Sequence, residues 1–301
     1  MTAAAPPWGI STLSWVRVGI VAALVGLAYW GPIQHYLVAR WMNDGNWSHG
    51  WLIPAFSVYF LAGRREELAA CRPRANYWGA VILVGSLGVY FWSAWWARMA
   101  YPQTISLLGV ILGATLLMGG WAVVRIAWFP IAFLAFAIPL PQGLYVELTR
   151  PLRELASSVA AAVMPLFVTG LHTEAQAVVI DYMRAGFPPG QLNVEEACSG
   201  MRLMMAFVTL GAAMAYLGER PFWQRAVMVA SCLPIAVFCN AVRVTTTGLL
   251  TILGYPELSQ GTPHQLLGIA MLVVAMGCYS FVGYVLSHLY VEASSEVGSD
   301  A

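Results

Sequence analysis

The sequence contains no lysine: all fifteen basic residues are Arg, and fourteen acids leave a formal net charge of +1. Charge of either sign is scarce, at 10% of residues, where a soluble domain carries roughly 25%. That shortage excludes an ordinary soluble enzyme, and the lack of a basic stripe excludes a nucleic-acid-binding surface. Cysteine is also sparse. The five residues Cys71, Cys198, Cys232, Cys239 and Cys278 form no CxxC pair, which argues against a zinc site or a disulfide framework. No HExxH motif is present, so neither a metal nor another cofactor is expected.

Apolar sequence is what the chain has in excess, at 59% hydrophobic residues with a mean hydropathy of +0.69. Thirteen Trp and thirteen Tyr suit a protein with two water–lipid interfaces, where amphipathic rings settle. A bilayer crossing needs about 20 apolar residues. Eight spans are predicted, at about 18–38, 51–62, 78–97, 104–120, 126–141, 201–217, 226–250 and 265–287. The second is short and the fifth is interrupted by proline, so both are expected to be tilted, bent or packed inside the bundle. No cleaved signal peptide is expected, because the first apolar run is too long and lacks a small-residue cleavage site.

Arg placement sets the expected orientation. With the N-terminus inside, Arg17, Arg64, Arg65, Arg72, Arg74, Arg125, Arg220 and Arg225 fall on the cytoplasmic side, against Arg40 and Arg98 in short outer loops. That asymmetry is a strong positive-inside signal. The fold class expected is an all-α polytopic membrane protein of about eight transmembrane helices, with both termini cytoplasmic. It reads as a single domain over 1–301, with a membrane core at 18–287 and a cytoplasmic tail at 291–301. Residues 142–197 then form a periplasmic or interfacial insertion: an amphipathic helix pair carrying Arg150, Arg153 and Glu154, followed by a small hairpin around the Gly/Pro-rich turn.

Polar groups inside apolar spans are costly and point to function by default. In NVEEACSGMR (193–202), Asn193 has the spacing of an N-cap with Glu196 three residues on. Glu195, Cys198 and Arg202 recur along one helix face, and a thiol between a helix start and a guanidinium should ionise more readily. In NAVRVTTTG (240–248), Asn240, Arg243 and Thr247 share a face. In GTPHQLLG (261–268), Thr262 and Pro263 read as N-cap and first helical residue. His264 therefore sits in a first turn, where imidazolium is disfavoured and the ring can accept a proton.

Each piece alone has a structural reading: a packed thiol, an ion pair, an interfacial His. The Arg-derived topology, however, brings Cys198, Arg243 and His264 to one side of the bilayer. Together they form the parts of a thiol acyl-transfer site, namely nucleophile, oxyanion stabiliser and general acid/base. In NDGNWSHGWLIP (43–54), Ser48 and His49 are placed to cap the second span, and His49 is a supporting candidate along with Glu195, Glu196, Arg202 and Asn240.

In order along the chain, WSHGWLIP, EEACSGMR, NAVRVTTTG and GTPHQLLG resemble the exosortase branch of the exosortase/archaeosortase family, over roughly 44–287. The resemblance implies an inner-membrane cysteine protease and transpeptidase of Gram-negative bacteria. Its substrates would be exported proteins ending in a Pro-Glu-Pro motif, a transmembrane helix and an Arg-rich tail. Cleavage on the periplasmic face and transfer to an acceptor would accompany exopolysaccharide assembly. By motif position the nucleophile maps to Cys198, the stabilising Arg to Arg243 and the acid/base to His264. Two rivals compete: a rhomboid-like serine protease using Ser199, which points about 100° away around a helix, and a transporter component, which predicts internal symmetry.

Overall fold

A proline breaks the first apolar run. The computed structural model describes residues 12–193, 200–218, 220–259 and 261–289. In it α1 (Thr12–Ala28) and α2 (Trp30–Asn43) meet at 65° across Tyr29. Pro32 has no N–H to donate to the Ala28 carbonyl one turn back. The Tyr90 hydroxyl donates to that carbonyl instead, at 3.0 Å. Tyr29 itself is fully buried, and its hydroxyl finds Ser106 Oγ at 2.9 Å, as a buried phenol requires. Part of α2, Ile33–Val38, is wound as a π-helix.

Beyond a short 3-10 connection, Gly45–Trp51, come α3 (Leu52–Gly63), α4 (Arg65–Ala70), α5 (Trp78–Trp92) and α6 (Ala100–Phe133). Glycine fixes how α5 meets α6. A Cβ on Gly79 would fall on the backbone nitrogen of Leu117, and one on Gly113 would lie 2.7 Å from the Leu83 nitrogen. Small residues thus allow backbone-to-backbone packing where apolar side chains give no net drive for association. Sequence expects two spans at 104–120 and 126–141; helical structure runs from Ala100 to Ala137 as two helices that meet at a break at Gly120. Gly120 has φ 70°, and a Cβ there would meet the Arg74 carbonyl. Only glycine takes that conformation without strain.

The chain divides into two units, Met1–Gln142 and Gly143–Ala301. The second opens with α7 (Gln142–Val163), whose buried face includes Tyr145, Thr149, Arg153, Ala156 and Ala160. Where sequence expects a hairpin, there are three antiparallel strands in the order β1 (Leu171–Gln176), β2 (Val179–Arg184) and β3 (Gly190–Asn193). A two-residue turn joins β1 to β2, with Ala177 at φ 53°. Three helices complete the unit: α8 (Gly200–Leu217), α9 (Phe222–Ile252) and α10 (Gly261–His288).

Among the described residues, Trp78–Ala97, Ala100–Ala137, α9 and α10 are long and apolar enough to cross a bilayer, and the bent α1–α2 pair makes a fifth candidate. The twelve residues of α3 rise only about 18 Å, short of a ~30 Å hydrocarbon core. The protein is a mostly helical, polytopic membrane protein.

Candidate active site

The C-terminal helices cross at a shared small residue. Tyr279 of α10 donates its hydroxyl to the Gly211 carbonyl of α8 at 2.9 Å. Cys232 of α9 lies so close to Gly211 that a Cβ there would fall on its sulfur. At one end of the bundle Arg220 Nη1 donates to the Gly283 carbonyl (3.0 Å) and Gln224 Nε2 to that of Leu286 (3.4 Å), so α9 and α10 run antiparallel. Moving from the crossing toward the other end, about eleven residues lead back to Gly200 on α8 and on to Arg243 on α9, roughly 16 Å at ~1.5 Å per residue. The same count along α10 reaches Gly268, with His264 one turn further.

Arg243 is 2% exposed, roughly two and a half turns inside the end of α9, next to buried Ala241 and Val244. The threonines that follow it need no water. Thr245, Thr246 and Thr247 each return their hydroxyls to the carbonyl four residues back, at 2.8, 2.8 and 3.0 Å. Back-bonding of this kind satisfies hydroxyls within an apolar helix, so a polar stretch survives in a membrane span around the guanidinium. Asn240, half-buried, lies one turn before Arg243.

The sheet is fixed to this same end of α9. Leu171 and Ile180 share a core with Met164, Ala241, Val244 and Ile252. At Gly248 a Cβ would lie 2.8 Å from Met164 Sδ and 3.2 Å from Leu192 Cδ1, so the glycine that ends the TTTG run lets β3 and the turn after α7 approach the helix. Arg184 of β2 donates to the Ile252 carbonyl at 3.3 Å, its guanidinium 4.6 Å from the Phe187 ring centre. A cation at a helix C-terminus also meets the negative end of the helix dipole.

Of the residues singled out by sequence, Cys198, Glu195 and Glu196 lie outside the described residues. Asn193 is the last residue of β3, paired with Val179, and the helix start it is expected to cap lies outside the described residues. Arg202 and His264 fall within the first turns of α8 and α10 by their backbones. The last helix begins at Gly261, with φ 62°, one residue before the expected cap Thr262.

His49 belongs to the first unit. It is part of a 3-10 turn, Gly45–Trp51, stacked on Trp47 with ring centres 5.9 Å apart. Burial pushes its imidazole below the usual histidine value, with the Asn46 carbonyl opposing. Neither Ser48 nor His49 caps α3 as expected: the Asp44 carboxylate accepts from Asn46 N–H at 3.0 Å, and Ser48 donates to the Gly45 carbonyl at 3.0 Å. The glycine of this motif has a packing reason, because a Cβ on Gly50 would fall on the Trp41 indole, which is held by its 2.8 Å bond to the Ala137 carbonyl.

Comparison with known families decides what these motifs belong to. A model of the transmembrane exosortase family matches residues 41–281. The chain belongs to that family. The match takes in all four motifs and most of both units, and membership implies a sorting transpeptidase acting on membrane-bound protein substrates. No curated protein and no solved structure matches this exosortase.

Three features of the exosortase escaped sequence reasoning. Arg184 looks like any charged residue at a strand end. Arg153 sits among Arg150 and Glu154 on an amphipathic helix, yet it is 9% exposed and donates to Thr149 Oγ1 at 3.2 Å. Gly248 carried a legible signal, a glycine in the interior of a long apolar helix, where it costs roughly 1 kcal/mol relative to alanine without a packing reason.

Proposed function

We propose that this exosortase is a cysteine-type transpeptidase that cuts exported proteins at a C-terminal sorting signal and passes them to an acceptor. Cys198 is the nucleophile. Its thiolate attacks the scissile carbonyl, the carbonyl oxygen takes up the charge, and Arg243 stabilises that oxyanion. His264, made imidazolium by the proton it has taken from the Cys198 thiol, then gives that proton to the departing amine, the C–N bond breaks, and a thioester remains on Cys198. An acceptor amine or water, deprotonated by His264, attacks the thioester and releases the thiolate. Glu195, Glu196, Arg202 and Asn240 are supporting groups around the three.

The observation that carries this reading is the burial of Arg243 inside an apolar, membrane-length helix. A charged side chain at such a place marks a functional site by default, and a guanidinium is suited to stabilising an oxyanion that develops beside it. Helical rise from the Gly211 crossing supports the same reading, because it carries the starts of α8 and α10 toward the level of Arg243. The opposite end, with Arg220 and Arg225, suits the cytoplasmic side under the positive-inside rule, which leaves the site facing the periplasm of a bacterial inner membrane. There a substrate with its own transmembrane helix arrives laterally, its Arg-rich tail setting depth and its Pro-Glu-Pro segment reaching the site.

The test is to express a tagged substrate of that design with wild-type protein and with Cys198→Ala, Cys198→Ser and Ser199→Ala variants. Wild type and Ser199→Ala are expected to release the tag, Cys198→Ala to leave it intact, and Cys198→Ser to be strongly slowed. Cleavage by Cys198→Ala at the wild-type rate overturns the assignment.

A further inference from the structure

Strand β3 is one of the two edges of its sheet, and hydrogen-bond parity says which of its backbone groups face outward. A two-residue turn closes on the pair Gln176 and Val179, which exchange both backbone bonds in a hairpin of this kind. Val179, Asp181 and Met183 therefore turn toward β1. The bond from Ala185 N–H to the Gly170 carbonyl, 3.3 Å, keeps the same parity. Ile180 and Tyr182 are left to face β3, where their partners are Leu192 and Gly190. Gln191, between those two, turns its N–H and C=O away from the sheet, and it is exposed. Among the described residues no strand lies beyond it.

Natural edge strands are blunted by shortness, proline, lysine or inward charge; Gly190-Gln191-Leu192-Asn193 is short but carries no proline, lysine or other charge. The edge is also held in place. Ile180 is fully buried, Leu192 packs at Gly248, and Arg184 ties β2 to the end of α9. A strand held this firmly loses little entropy on pairing. Leu192 meets α9 about one and a half turns from Arg243. The chain then reaches Cys198 five residues after Asn193, a span of at most ~17 Å.

Resting on the cysteine-transpeptidase reading above, we infer that the open edge of β3 is the docking strand for the substrate. The peptide segment beside the scissile bond pairs with it in extended form, exchanging main-chain hydrogen bonds with Gln191. Recognition of this kind reads the backbone of every second residue and tolerates varied side chains. The occupant is an extended segment of the substrate protein, because the edge leads directly into the segment that carries the nucleophile.

The test begins with wild-type enzyme and a tagged substrate in which proline replaces, one at a time, the residues within about four positions of the cut. Losing the N–H bond to β3 should slow processing about 10-fold at one position, or at two positions two residues apart, with changes within about 3-fold at the positions between and beyond them. Losses that ignore parity, or none at all, overturn the proposal. On the enzyme side, Gln191→Pro removes the outward N–H without touching a bond to β2. It should raise KM about 10-fold while alkylation of Cys198 by iodoacetamide stays within about 2-fold, and Gln191→Ala, which keeps the N–H, should behave as wild type. If Gln191→Pro retains wild-type KM, the proposal fails; if the variant misfolds, the substrate scan decides. Cleavage of unmodified substrate by Cys198→Ala would sink the nucleophile assignment alone, leaving the parity pattern a separate result.

Discussion

Arg184 donates to the carbonyl of Ile252 across 3.3 Å, joining the middle strand of the sheet to the last turn of the helix that buries Arg243. The bond is charge-assisted and satisfies a carbonyl that the helix end leaves without an intrahelical partner. Arg184→Ala is therefore expected to lower stability by about 1–2 kcal/mol, with a larger relative loss of substrate processing than of folded protein. Arg184→Lys keeps the charge but not the fork or its stacking on Phe187, and should fall between the two. Thermal unfolding in detergent beside a processing assay checks this, and processing unaffected by Arg184→Ala would remove the strand–helix tie from any role at the site.

For Arg243 the expectation is sharper. A lysine there keeps a charge but not a planar fork in a fixed direction, and its ammonium is more strongly hydrated. Losing one oxyanion donor costs about 100-fold to 1,000-fold in rate. Arg243→Lys should reach the membrane at normal levels and process substrate at least about 100-fold more slowly. Wild-type turnover by that variant would remove Arg243 from the mechanism.

Gly248 offers a graded test of how the sheet is seated. Its nearest neighbours are the ends of flexible side chains, Met164 Sδ and Leu192 Cδ1, so Gly248→Ala has room to be accommodated and should cost under about 1 kcal/mol. A leucine needs far more space, and overpacking of that size costs about 1–3 kcal/mol. Gly248→Leu should shift β3 off α9 and lose most processing. Equal activity in the two variants would mean that the seating of β3 does not matter to the reaction.

Long apolar runs made much of this fold legible. The spans expected at 78–97, 226–250 and 265–287 fall within the observed helices Trp78–Ala97, Phe222–Ile252 and Gly261–His288, because twenty apolar residues have few alternatives. Hydropathy also shows the break at Gly120, as a gap between two expected spans. It was silent at Pro32, where a run that looks continuous is bent by 65°. The hairpin expected around the Gly/Pro-rich turn corresponds to β2 and β3, whereas β1 was missed, because its two-residue turn at Ala177-Val178 carries no Gly, Pro or Asn to mark it. At the site, motif order pointed to Cys198, Arg243 and His264, and the burial of Arg243 fits that reading. The burial of Arg153 was not legible, since an amphipathic helix does not announce which polar residue its neighbours will cover.

His49 supplies a prediction with a definite sign. Its imidazole is half-buried against Trp47, and burial holds its pKa below the usual histidine value near 6.5. The fold therefore favours the neutral ring. The stability that the neutral ring contributes is fully present above about pH 6.5 and is lost as pH falls through the lowered folded-state value. His49→Phe keeps an aromatic ring beside Trp47 and removes the proton site, so acidification from pH 7 to 5 should lower the unfolding temperature of the wild type by more than that of the variant. Identical pH dependence in the two proteins would show that the ring titrates freely in the folded state, and His49 would then be a surface residue in energetic terms.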